Sequence, residues 1–84
     1  MTYTIDFYPG TASAETIERT SMTAALRACR ARIGRIYRGA EYRTDRPSSD
    51  PDERVYVDAL DIWANRADAK NDMLTHPAAV ISWA

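Results

Sequence analysis

The protein has 84 residues, a formal net charge of −1, one cysteine (Cys29) and one histidine (His76). That length supports a single domain, 1–84, with one modest core. One cysteine excludes an intrachain disulfide, and one Cys with one His excludes the usual four-ligand zinc site, so stability must come from regular elements or from self-association.

The first element is a strand. Thr2 to Tyr8 alternates Tyr3, Ile5 and Phe7 with Thr4, Asp6 and Tyr8, the period of a half-buried strand rich in β-formers. Pro9-Gly10-Thr11-Ala12-Ser13 reads as a turn, and Glu15-Thr16-Ile17-Glu18-Arg19-Thr20 as a more polar return strand. From Ser21 or Thr23 the spacing becomes helical: Met22, Ala25, Leu26, Cys29, Ile33, Ile36 and Tyr37 share one side, and Arg27, Arg30, Arg32, Arg35 and Arg38 the other. Gly39 is the expected stop.

After a polar connection, Asp50-Pro51-Asp52-Glu53 has the make-up of a helix start, with an N-cap acid, a first-turn proline and a capping-box glutamate. Val55, Tyr56, Ala59, Leu60, Ile62, Trp63 and Ala67 fit a helical period better than strict alternation, which fails at Asp58, Leu60 and Asp61. The same phase extends to Met73 and Leu74, with Pro77 as the limit. Ala78 to Trp83 reads as a buried strand that joins the first. The expected fold is α+β and two-layered: a small three-stranded antiparallel or mixed sheet with two helices on one face, in the order ββααβ.

Charge is unevenly placed along the chain. Residues 1–44 carry seven arginines against Asp6, Glu15, Glu18 and Glu41, a balance of +3, whereas residues 45–84 carry eight acids against four bases, a balance of −4. The helical reading sets Asp58, Asp61, Asp68 and Asp72 in a stripe along the second helix, opposite its apolar side. A convex face sends such carboxylates outward, so a solvated surface is favoured over a metal cage. As a mimic of phosphates the stripe is sparse, with four charges over roughly 21 Å at about 1.5 Å per residue, where duplex DNA carries about twelve at one per roughly 1.7 Å. The arginine face suits bidentate recognition of carboxylate or phosphate.

Catalytic residues are scarce. Cys29 falls on the apolar side of its helix, where a thiol behaves as a small hydrophobe. His76 precedes a proline, where it would cap a helix end; Asp72 four residues earlier is an unspecific companion. No Gly-rich phosphate loop, zinc-finger spacing or RNP-type aromatic motif is present, so no cofactor and no metal is expected and the chain reads as no enzyme. Tyr8 and Tyr42 have no obvious buried place and are candidates for an interface.

Small size, one α/β-type domain, near-neutral charge and no catalytic set make the chain resemble small phage-encoded inhibitors of host defence, the anti-CRISPR proteins among them. The resemblance covers the chain in style and rests on no motif. It implies a protein that blocks a larger machine by occupying a surface, in the host cytoplasm. A cytoplasmic location also follows from a start, Met1-Thr2-Tyr3-Thr4-Ile5-Asp6, without a secretory pattern, and from unpaired cysteine usage. No run approaches the roughly 20 apolar residues that span a bilayer, which excludes a transmembrane role. The expected function is therefore non-catalytic binding of a protein partner through Arg27, Arg30, Arg32, Arg35, Arg38, Tyr42, Asp58, Asp61, Asp68 and Asp72. The alternative is nucleic-acid binding through the arginines, and a homodimer fits either.

Overall fold

The computed structural model describes residues 1–47, 50, 52–70 and 76–84. Their elements run β1 (Tyr3–Phe7), β2 (Glu15–Arg19), α1 (Met22–Ile33), β3 (Tyr37–Pro47), β4 (Arg54–Trp63), α2 (Arg66–Lys70) and β5 (Ala79–Trp83). All strand pairings are antiparallel, and the sheet order is β2-β1-β5-β4-β3. Two hairpins, β1-β2 and β3-β4, are thus joined edge to edge by the last strand.

The first hairpin forms as its alternation predicts, with Ile5 opposite Ile17 on one side and Ile81 on the other. Its turn holds Tyr8 at φ 46°, a left-handed conformation unusual for a bulky residue. Three bonds hold it there: Tyr8 donates its N–H to the Ala78 carbonyl at 2.8 Å, and its own carbonyl accepts from the Thr11 N–H and hydroxyl. Tyr8 packs against the core.

Helix α1 starts where Ser21 caps it, its hydroxyl accepting from the Ala24 N–H at 3.1 Å. It ends five residues earlier than Gly39, at Gly34, which adopts φ 97° and donates to the Arg30 carbonyl. Ala25, Leu26 and Cys29 are buried against Ile5, Phe7, Leu60, Ile62, Ala79 and Ile81.

The three-stranded ββααβ expectation is overturned by β3 and β4. Residues expected as the second helix form β4, and those expected as a helix end and linker form β3. The period misleads because β4 is buried on both faces: Leu60 and Ile62 face α1, while Val57, Ala59 and Trp63 face the other way. A strand buried on both sides reads as a continuous apolar run rather than as an alternation. Asp50 starts a turn instead of a helix, accepting from the N–H of Asp52 on its side chain and of Glu53 on its carbonyl.

Among the described residues the second helix is α2, Arg66–Lys70. It packs on β3 and β4, with the Arg66 guanidinium 5.6 Å from the centre of the Tyr37 ring. Tyr37 lies opposite Trp63 in the ladder, so the two helices lie on opposite faces of the sheet and not on one. The expected continuation through Asp72, Met73 and Leu74 lies outside the described residues.

A β-bulge in β3 sets Gly39 and Ala40 against the single residue Asp61. Gly39 sits there because the Trp63 indole lies against its backbone: a Cβ at this position would stand 2.5 Å from Trp63 Nε1. Trp63 is 1% exposed, and among the described residues its indole N–H has no hydrogen-bond acceptor.

Two substitutions test this packing in chemical denaturation. Ile81→Ala, at a fully buried central position, is expected to cost about 2–5 kcal/mol. Gly39→Ala forces the indole to move and is expected to cost about 1–3 kcal/mol; a cost near zero would mean that the tryptophan does not sit on the bulge.

Candidate interaction surfaces

Helix α1 turns Arg27 and Arg30 outward, and Arg35 follows just past its end; all three are exposed. Arg32 leans from the same helix towards β2, where it forms an ion pair with Glu15 and stacks over Phe7, 5.1 Å from the ring centre. Between α1 and β2 runs a groove of about 320 Å³ with Ile17, Ala28 and Ala31 along its floor and Arg19, Arg32 and Glu15 at its rim. Small residues on the helix leave this depression open, and the neighbouring guanidinium groups make its border cationic.

Arginines on the strands are placed differently. Arg38 pairs with Glu41 at 3.9 Å, Arg43 with Asp58 at 3.6 Å, Arg54 with Asp45 at 2.5 Å and Arg46 with Asp6 at 3.5 Å. Two of these pairs join the halves of the chain, Arg43 with Asp58 across the β3-β4 ladder and Arg46 with Asp6 across the sheet, while Arg38–Glu41 and Arg54–Asp45 each lie within one half. These pairs are exposed and individually weak; what they remove is a large uniform field.

The aspartate stripe does not exist as expected. Asp58 and Asp61 are three residues apart on a strand, so they lie on opposite faces. Asp58 holds Arg43, while Asp61 accepts the Tyr42 hydroxyl at 2.9 Å. Asp68 belongs to a helix cap: its N–H donates to the Asn65 side chain, and its carboxylate accepts from the Asn65 amide. Asp72 lies outside the described residues, as does any helix end that the exposed His76 would cap.

One cluster escaped the sequence reading. On the face opposite α1, Arg46 reaches Ser82 of β5 and Asp6 of β1, and Asp6 also accepts the Thr16 hydroxyl at 2.7 Å. From β3 to β1 is three strand spacings, about 14 Å in a flat sheet at about 4.8 Å each, farther than an arginine extends. The sheet must therefore curl towards this face, in keeping with the twist of long hairpins. The concave side holds a shallow cavity of about 360 Å³ bordered by Thr4, Glu18, Arg46, Val57 and Ser82. No local spacing reports this convergence, since its members lie 6, 46 and 82 residues along the chain.

Burial raises the Cys29 thiol from 9.0 to about 11, against a smaller opposing pull from Arg30, so the residue is a buried hydrophobe with little thiolate. Tyr42 is raised from 10.0 to about 12, first by partial burial and then by its bond to the Asp61 carboxylate. Among the described residues no three His, Cys, Asp or Glu side chains are arranged to hold a metal ion, and no helix is long and apolar enough to cross a membrane.

No protein-family model matches the chain, and no similarity to a curated protein or to a solved structure was found.

Both shifted groups favour their protonated forms in the folded state. The unfolded chain would release these protons first, at about pH 9 for the thiol and about pH 10 for the phenol. Stability is therefore expected to fall as pH rises from 9 towards 11, measured by urea denaturation across that range. In the native protein at pH 8, Cys29 is expected to resist iodoacetamide and to react once denaturant is added; rapid alkylation without denaturant would contradict its burial.

Proposed function

We propose that the protein is a non-catalytic binding module that docks onto a protein partner through the outer face of α1 and its groove with β2. The observation that carries this reading is the selective pairing of the arginines. Arg32, Arg38, Arg43, Arg46 and Arg54 are engaged by acids of the same chain, whereas Arg27, Arg30 and Arg35 enter none of the ion pairs among the described residues. Arg19, Arg66 and Lys70 also enter none of these pairs, but Arg66 and Lys70 sit on α2 across the sheet. Arg27, Arg30 and Arg35 are the group that lies together, on and just past α1, where guanidinium groups favour planar carboxylate or phosphate partners.

Two features favour a protein over a nucleic acid. The groove beside these arginines has an apolar floor, which suits an inserted side chain and offers nothing to a phosphate backbone. Glu15 on the adjoining β2, at the rim of the groove, would face such a backbone with like charge. Magnitude points the same way: α1 is about 18 Å long at about 1.5 Å per residue, and a duplex presents about ten charges over that length to three free cations. The partner surface that fits is acidic with an apolar projection. Occupation of such a surface is also how a small inhibitor of a larger assembly would work.

The test separates charge from shape. Arg27→Glu/Arg30→Glu/Arg35→Glu is expected to lower binding to an array of Asp/Glu-rich peptides at least about tenfold, ~1.4 kcal/mol. Ala31→Arg fills the groove while adding positive charge, so it is expected to weaken peptides that carry an apolar residue among their acids. Fluorescence anisotropy with labelled DNA and RNA provides the opposite outcome: saturable, salt-sensitive binding that Ala31→Arg strengthens would replace the protein partner by a nucleic acid.

A further inference from the structure

Among the described residues the sheet ends at β3, an eleven-residue strand whose outer edge is paired with no other strand. Among the described residues, no backbone hydrogen bond outside the strand ladders involves residues 37–47. Such an edge is a template for another strand unless charge, a bulge or proline blunts it. β3 has a bulge near its start and a proline, Pro47, only at its last position, so between them the arrangement of charges decides what can pair with it.

On the α1 side of the sheet, Arg38, Glu41, Arg43 and Asp45 stand opposite Ile62, Leu60, Asp58 and Tyr56 of β4, every second residue. The bulge keeps Arg38 and Glu41 on one face although they are three residues apart, because Gly39 and Ala40 together occupy one place in the ladder. The row therefore reads positive, negative, positive, negative. A two-fold axis through Tyr42 that sets β3 antiparallel to itself reverses the row, placing Glu41 opposite Arg43 of the second copy and Arg38 opposite its Asp45. Each match occurs twice, and no like charges meet along this face. An axis at Arg43 would oppose Arg43 to Arg43 and Glu41 to Asp45; one at Thr44 would match only Arg43 with Asp45. Opposite charges in directly facing positions stabilise an antiparallel pair, and like charges destabilise it.

We infer that a second copy of this chain pairs along β3, about a two-fold axis at Tyr42, to form one continuous ten-stranded antiparallel sheet. The closed isologous geometry stops at two copies, because each β3 edge is consumed by the other. Tyr42, 41% exposed on the other face, meets its own counterpart across the axis, where an aromatic pair is favourable. The central match is open to a second copy: Arg38, Glu41 and Arg43 are each more than half exposed with internal contacts at 3.6–3.9 Å, whereas Asp45 already holds Arg54 at 2.5 Å and would share its carboxylate with Arg38 of the second copy. This surface is distinct from α1, so the inference does not depend on what α1 binds.

Sedimentation velocity over a concentration series tests it. The wild type is expected to show a monomer–dimer equilibrium; Glu41→Arg alone or Arg43→Glu alone sets like charges across the axis and is expected to weaken dimerisation at least tenfold. Mixing the two single variants restores complementarity, with two arginines on one copy facing two glutamates on the other, and is expected to give a heterodimer. That recovery also shows that both variants are folded. Tyr42→Cys is expected to form a disulfide-linked dimer on oxidation, and Thr44→Cys is not, which reads the register directly. A wild type that stays monomeric at every concentration, or single variants that dimerise as well as wild type and gain nothing from mixing, would overturn the inference.

Discussion

Everything in this structure depends on β5 lying between the two hairpins. A two-stranded ribbon is marginally stable at best by itself in water. Ala79, Ile81 and Ser82 are almost wholly buried because β1 flanks them on one side and β4 on the other. The residue just before the strand belongs to both halves: Ala78 donates to the Ile62 carbonyl at the end of β4 and accepts from the Tyr8 N–H at the end of β1. The five residues of β5 thus turn two marginal hairpins into one sheet with a single core. They also make the fold non-local, since β1 and β5 are separated by most of the chain and their pairing is the entropically slow step.

Curvature follows from how the hairpins differ. The β1 and β2 strands have five residues each and lie under α1, while β3 and β4 run for eleven and ten and extend past it. The long hairpin bends away from α1, bringing Arg46 over the concave face to Ser82 and Asp6. Trp63 and the bulge at Gly39 close the other end of that face, beneath α2. One face is thus a conventional helix-covered core, and the other is a shallow hollow with an apolar wall and a polar bridge.

Charge in this molecule has two roles, which only the fold separates. The arginines of β3 and β4 are each paired with an acid of the same chain, and the alternating row on β3 can oppose itself only in chosen registers. Arg27 and Arg30 of α1 face solvent and enter no ion pair among the described residues, whereas Arg32 leans to the sheet and meets Glu15 of β2. The same residue type is thereby paired within the chain in one place and left facing outward in another. Of the candidate surface residues, Arg27 and Arg30 were legible because a helical period exposes them whatever lies beneath. Tyr42 was legible as a tyrosine without a core position. The Arg46–Asp6–Ser82 convergence was not, because its members meet only after β5 is inserted.

What the sequence by itself determined is local: the alternation and turn of the first hairpin, the cap and apolar stripe of α1, and the apolar β5 at the end of the chain. Each is set by a period or a capping residue acting over fewer than a dozen positions. Tertiary structure alone decided β3 and β4. The period of β4 is blurred because both its faces are buried, by two different partners distant in sequence; that of β3 is broken by a bulge, which exists to accommodate the indole of Trp63. Asp58 and Asp61, which break the apolar alternation, do so because one faces an arginine of β3 and the other a tyrosine of the same strand. Strand pairing assigned those environments, and a one-dimensional pattern carries no record of what lies across a ladder.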